Sequence, residues 1–194
     1  MDKLERQEQI YRTAARLFFL QGYHGTTMRG LARAIGVEPG LLYHYYKNKN
    51  DLFYNILRKG LQELTESVEA ALEFAVTPVE QMSVALTTHI KYTLRRKEEM
   101  TLTSEIRHLE SEQLAEIRVM SRAYFRIFGL ILAQGIKEGV FRPCNVRFIT
   151  MLLLSVATPI AIWYRPDGSI KEDEVIAWYV EHCMNSLLAD RRRS

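Results

Sequence analysis

Between Thr26 and Leu52 the chain reads Thr-Thr-Met-Arg-Gly-Leu-Ala-Arg-Ala-Ile-Gly-Val-Glu-Pro-Gly-Leu-Leu-Tyr-His-Tyr-Tyr-Lys-Asn-Lys-Asn-Asp-Leu, a pattern with few ways to fold. Thr26 or Thr27 can cap a helix over residues 28–34, because a threonine hydroxyl accepts from the free N–H groups of a first turn. Gly36 supplies the positive φ of a tight turn. Pro39 suits the first turn of a short helix reaching Tyr46, where its missing N–H costs nothing. Asn48 or Asn50 then caps a third, long helix running to about Phe74.

A helix, a tight turn and a second short helix form the arrangement that places a reading helix in the major groove of DNA. Leu31, Ala32, Ile35 and Val37 supply apolar packing, and Leu42 with Tyr45 or Tyr46 anchors the short helix. Pro39, Gly40, Leu41, Tyr43 and His44 are left facing outward, beside Glu38. Tyr43 and His44 can donate to phosphates or base edges. Lys49 stands at the start of the next helix and is placed for a phosphate, with Lys47 adding charge nearby. Thr27 and Arg29 open the preceding helix and can clamp the same backbone. Charge agrees with this assignment: residues 1–50 carry a net +4, whereas the whole chain carries +3.

The rest of the chain is helical by periodicity. A first helix spans residues 4–20, ended by Gly22. Beyond Thr77-Pro78, helices are expected over residues 79–97, 102–109, 111–137, 145–164 and 171–189. No strand alternation persists, so the expected fold is all-α with about nine helices. The expected domains are 1–50 for the helix-turn-helix and 51–194 for the rest. An apolar content of 47% excludes a disordered chain. Cys144 and Cys183 stand in no metal-ligand or redox spacing, so free thiols and a cytoplasmic setting are expected, with no metal and no cofactor. The apolar run 148–163 is 16 residues long and interrupted by Thr150, Ser155, Thr158 and Pro159. It is read as a core or pairing helix rather than a membrane span, which wants roughly 20 residues. The Arg191-Arg192-Arg193 tail is read as a solvated end.

Gly22-Tyr23, Thr26-Thr27, Leu31-Ala32, Ala34-Ile35-Gly36-Val37, Gly40, Tyr43, Tyr46, Lys49 and Leu52 together resemble the DNA-binding domain of TetR-family transcriptional regulators. The resemblance covers the first quarter of the chain. Two residues depart from it: Gly30 stands where an acid is frequent, and Leu41 where a serine or threonine is frequent. The loss of a hydroxyl at Leu41 bears on which operator is read, since leucine offers an apolar contact to a thymine methyl instead.

A two-fold operator calls for a two-fold protein. Phe148, Leu152, Val156 and Ile160 form one helical stripe, and Val175, Trp178, Tyr179, His182 and Leu187 another. Four such helices from two chains make the homodimer bundle that the resemblance also implies. The middle helices carry His89, Tyr92, Arg107, His108, Tyr124, Phe128, Met151 and Trp163, a mostly apolar set with polar anchors that suits a small-molecule effector.

A finer resemblance rests on Glu105, Arg107-His108-Leu109, Ile117-Arg118, Tyr124, Gly135, Gly139-Val140-Phe141 and Trp163-Tyr164-Arg165-Pro166. It is to regulators of fatty-acid or sterol catabolism, and it implies an acyl-CoA effector that releases a repressor from a palindromic operator. The competing readings are the same fold controlled by a protein partner and, remotely, an enzyme. His89, His108 and His182 lie among acids, but no nucleophile motif, phosphate loop or metal spacing accompanies them.

Overall fold

The computed structural model describes residues 3–189, so the arginine tail at 191–193 lies outside the described residues. Those residues form ten α-helices and one 3-10 helix. They are α1 (Lys3–Gly25), α2 (Met28–Ile35), α3 (Pro39–Tyr45), α4 (Lys49–Leu72), α5 (Pro78–Arg95), α6 (Lys97–Thr101), the 3-10 helix Leu102–His108, α7 (Ser111–Lys137), α8 (Val146–Ser155), α9 (Ala157–Trp163) and α10 (Glu172–Leu187). The only extended pairing among them is an isolated bridge between Phe141 and Leu188. The all-α expectation therefore matches the fold.

The one long helix expected over 145–164 is two helices, α8 and α9. Proline at position 159 has no N–H to give the carbonyl four residues earlier, Ser155, and α8 ends at that residue. Val146–Trp163 has a mean hydropathy of 1.8, but only 28% of it is buried within the protomer. Its exposed side is an apolar surface, described below.

The described residues divide into two compact units, and the division is not the expected cut after residue 50. One unit is Met1–Gln62 with Glu98–Val119, and the other is Glu63–Lys97 with Met120–Ser194. Apolar spacing continues through the start of α4, where Leu52, Phe53, Ile56 and Leu57 are buried in the first unit. Phe53 meets Phe18 of α1 edge to face at 5.1 Å, and the Tyr11 hydroxyl donates to the Ile56 carbonyl at 3.3 Å. Ile10, Ala14, Phe18, Leu31 and Leu42 complete that core.

The first unit also takes in the 3-10 helix and the start of α7. The His108 ring stacks on Tyr23 with centroids 4.6 Å apart, and Asn50 Nδ2 donates to the His108 carbonyl at 2.5 Å. Tyr54 donates to Glu116 at 2.5 Å. Asn48 and not Asn50 caps α4, since its Oδ1 accepts from the Asp51 N–H at 2.8 Å.

In the second unit, α5 opens with a capping box. Thr77 Oγ1 accepts from Glu80 N at 3.2 Å, and the Glu80 carboxylate accepts from Thr77 N at 3.0 Å. The Thr77 N–H, with the Thr77 hydroxyl and the Val76 N–H, holds the Glu80 carboxyl below the usual carboxylate range. Helix α5 packs against α9 and α10. The Tyr179 hydroxyl ties α10 to α8 by donating to the Leu153 carbonyl at 2.9 Å.

Candidate functional site

Helix α2 is built to be held from behind. Met28, Leu31, Ala32 and Ile35 are buried on one face, while Arg29 and Arg33 are exposed. Thr27 caps it, its hydroxyl accepting from Gly30 N at 3.1 Å. Gly36 ends it with φ +78°, a conformation an L side chain resists. Both Gly36 N and Val37 N return to the Ala32 carbonyl at 3.0 Å, which closes the turn.

Helix α3 is seven residues long and buries only Leu42. Pro39, Gly40, Tyr43 and His44 are exposed, and Leu41 is half-buried. A helix this short is not stable by itself. It is held by Leu42 below and by the α2 turn before it, which leaves its remaining surface for an external partner. Tyr45 and Tyr46 are half-buried, and burial is the main cause raising the Tyr46 hydroxyl above its ordinary value.

Thr26, Thr27, Met28, Arg29, Tyr43 and Lys49 line one shallow depression in the first unit. Arg29 is an exposed cation of its wall, and Lys47 is an exposed cation two residues from Lys49. Lys49 is engaged from within. Its ammonium donates to the Tyr23 carbonyl at 2.7 Å and lies 4.2 Å from the Tyr23 ring centroid. Burial lowers its pKa. An ammonium has three donors, so two remain for another acceptor. The partnership with Tyr23 left no mark in the sequence, since a backbone carbonyl carries no residue-type signal.

Of the expected effector residues, His89, Tyr124 and Phe128 meet in the core of the second unit. His89 Nδ1 and the Tyr124 hydroxyl are 2.8 Å apart, and the Phe128 ring lies 6.1 Å from His89 and 5.4 Å from Tyr124. Burial pushes the His89 imidazole down to about 4, so it is neutral at physiological pH. The same cause raises the Tyr124 hydroxyl well above its ordinary range. Tyr92 is half-buried and donates to Glu63 at 3.2 Å.

Met151 and Trp163 depart from the expectation. They are exposed, because α8 and α9 turn those positions away from the core. Arg107 and His108 belong to the first unit. There the exposed Arg107 pairs with Glu105 at 3.1 Å, and His108 stacks on Tyr23. Sequence reasoning missed Thr150, which is buried with no hydrogen-bond partner for its Oγ1.

The expected pairing residues also divide. Phe148, Leu152, Val156, Trp178 and His182 are exposed, and Ile160 is half-buried. Val175 and Tyr179 are corrected to core residues at 3% and 5% exposure, since α10 turns them inward. Met151, Ile162 and Trp163 join the exposed apolar set instead.

Comparison with known proteins covers both parts of the chain. Residues 10–56 match the bacterial regulatory proteins of the tetR family, and residues 75–187 match the tetracyclin repressor-like C-terminal domain. The HTH-type transcriptional repressor KstR2 of Rhodococcus jostii is 27% identical over 191 residues, covering 95% of this chain and 92% of that protein. A TetR-family regulator, PfmR of Thermus thermophilus, superposes with a TM-score of 0.83 at 28% identity, over 93% of this chain and 99% of PfmR. AibR, solved with isovaleryl coenzyme A and operator DNA, superposes with a TM-score of 0.83 at 27% identity, over 91% of this chain and 97% of AibR. The second match alone spans more than half of the chain, and the chain belongs to the TetR family of DNA-binding transcriptional regulators and is not an enzyme.

Proposed function

We propose that the chain is a cytoplasmic, homodimeric repressor that leaves a palindromic operator when an acyl-CoA-type effector binds. One observation carries the reading: α3 buries Leu42 alone and offers the rest of its surface outward. Thr27, Arg29, Lys47 and Lys49 then hold phosphates, and Pro39, Gly40, Leu41, Tyr43 and His44 meet the groove. The first unit supplies reading, and the second supplies sensing and pairing. Exposed Phe148, Leu152, Val156 and Trp178 form an apolar face suited to a second copy. Two copies would set their α3 helices roughly 34–36 Å apart, one turn of DNA.

The acyl part of the effector is assigned to the second unit, beside His89, Tyr124 and Phe128. The buried groups there carry no net charge, the imidazole being neutral and the phenol protonated. They suit a thioester carbonyl better than a carboxylate. Two relatives support the class: KstR2 is named a repressor, and AibR was solved with isovaleryl coenzyme A and operator DNA. Release follows from linkage, because an effector weakens DNA binding only as far as it prefers the state that binds DNA poorly.

Fluorescence anisotropy with labelled DNA from upstream of the protein's own gene, at fixed salt, tests this. A panel of acyl-CoA thioesters is added in turn. Tight binding released by one chain length supports the reading and identifies the effector. Tight binding that no thioester disturbs removes the acyl-CoA assignment and leaves the regulator standing.

A further inference from the structure

The outward face of α3 is unusual in what it lacks. Residues 39–45 contain no Arg, Lys, Asn, Gln, Asp or Glu. Those side chains make most of the hydrogen-bonded base reads in the major groove, with bidentate Arg or Lys on guanine and bidentate Asn or Gln on adenine. With Leu42 pointing inward, Gly40 and His44 lie one turn apart on the opposite side, flanked by Leu41 and Tyr43. The middle of the reading surface is thus a bare backbone with an aliphatic side chain beside it.

Nothing inside the protomer calls for glycine at position 40. A Cβ built there meets no atom within 4 Å, and its φ is not positive. Glycine in a helix is disfavoured relative to alanine, and this helix is short already. What the glycine does provide is a flat spot where the helix backbone can come closer to an outside surface than any side chain would permit. Leu41, half-buried and apolar, borders that spot and offers no hydrogen bond. The one apolar feature that a base pair presents in the major groove is the C5-methyl of thymine.

We propose that Gly40 and Leu41 form a methyl-reading edge, so that each operator half-site carries a thymine whose C5-methyl seats against the Gly40 backbone and the Leu41 side chain. This rests on α3 being the helix that enters the groove. Specificity at that base pair comes from an apolar contact, and dU, which pairs like dT but lacks the methyl, is the discriminating substitution.

The full-length protein is used to select its preferred duplex from a random pool. The selected duplex is then resynthesised with dU replacing dT one position at a time. At one thymine per half-site, dU is expected to weaken binding about four-fold, the worth of one buried carbon, and about fifteen-fold when both half-sites are changed. Leu41→Ala should bring the dT-to-dU ratio near one. Gly40→Ala should weaken binding to the dT duplex while the thermal midpoint stays equal or rises. His44→Ala should keep the dT-to-dU ratio whatever it does to affinity. Equal binding of dT and dU duplexes by the unsubstituted protein overturns the proposal, as does a ratio that survives Leu41→Ala or a Gly40→Ala protein that binds as before. A selection that enriches no duplex at all overturns something larger, the assignment of α3 to DNA.

Discussion

Helix α3 in the first unit and the His89–Tyr124 pair in the second are opposite solutions to placing polar groups. In α3 one side chain, Leu42, is buried, and the groups with chemistry face outward. Around His89 the groups with chemistry are sealed in: the imidazole is 3% exposed, the Tyr124 ring 3%, and Phe128 not at all. An exposed surface takes its energy from a partner it meets later. A buried pair must satisfy itself in the protomer, and His89 does so with the Tyr124 hydroxyl 2.8 Å from Nδ1 and the Leu154 carbonyl 3.4 Å from Nε2. The first arrangement is tested by changing what it meets, the second by changing what surrounds it.

The largest expected effect breaks the α3 side. Leu42→Ala removes the single buried side chain that seats a seven-residue helix. The loss is expected to be about 2–5 kcal/mol. Hydrogen exchange should show protection lost first in residues 39–45, and DNA binding should fall with it. Undiminished protection there would mean that the α2 turn alone holds α3.

The next effect belongs to the buried side and is read by pH. His89 titrates near 6.5 when unfolded and is pushed down to about 4 in the fold. Between those values the unfolded chain binds the extra proton, so stability rises with pH and is lost as pH falls from 6.5 towards 4. The loss attributable to this group is about 3 kcal/mol. Urea midpoints of the protein and of His89→Asn, compared across that window, isolate it. Parallel pH profiles for the two would show that His89 does not couple to folding.

That contrast also explains what could be read from the sequence. Thr27, Gly36 and Pro39 each act within three or four residues of themselves, so their roles were legible from spacing alone. Thr77-Pro78 was legible for the same reason. His89 and Tyr124 are 35 residues apart and meet only through packing. His108 read as a polar anchor for a ligand, whereas it stacks on Tyr23, a partner 85 positions away that no local rule reveals. Helical spacing put Trp178 and Tyr179 in one expected pairing stripe on α10, but it did not separate the outward Trp178 from the inward Tyr179. Adjacent residues differ by about 100° around a helix, and a stripe wide enough to hold both spans two environments.

A smaller change sharpens the buried side. Tyr124→Phe keeps the ring and removes the hydroxyl that pairs with His89 Nδ1. An unsatisfied buried ring nitrogen costs about 1–3 kcal/mol, in stability and not in operator affinity. Calorimetry paired with anisotropy on the same preparation checks both. A drop in operator affinity without effector, at unchanged stability, would mean that the pair acts on the DNA-binding state directly.

The smallest effect lies with Lys49, which has a foot in both arrangements. Its ammonium is engaged by the Tyr23 carbonyl and ring, and it lines the same depression as Thr27, Arg29 and Tyr43. Lys49→Gln keeps a hydrogen-bond donor for the Tyr23 carbonyl and removes the charge. If the charge neutralises one phosphate per half-site, the slope of log affinity against log salt should become shallower by about 0.9 per site. Affinity should fall similarly across operator sequences, because a phosphate contact carries no base identity. The paired control is Tyr43→Phe, which removes a neutral donor and should weaken binding while leaving the slope alone. An unchanged slope for Lys49→Gln would place the lysine wholly on the internal side, as a clasp on Tyr23. The charge that meets DNA would then be sought at Arg29 and Lys47, the exposed cations of the same surface.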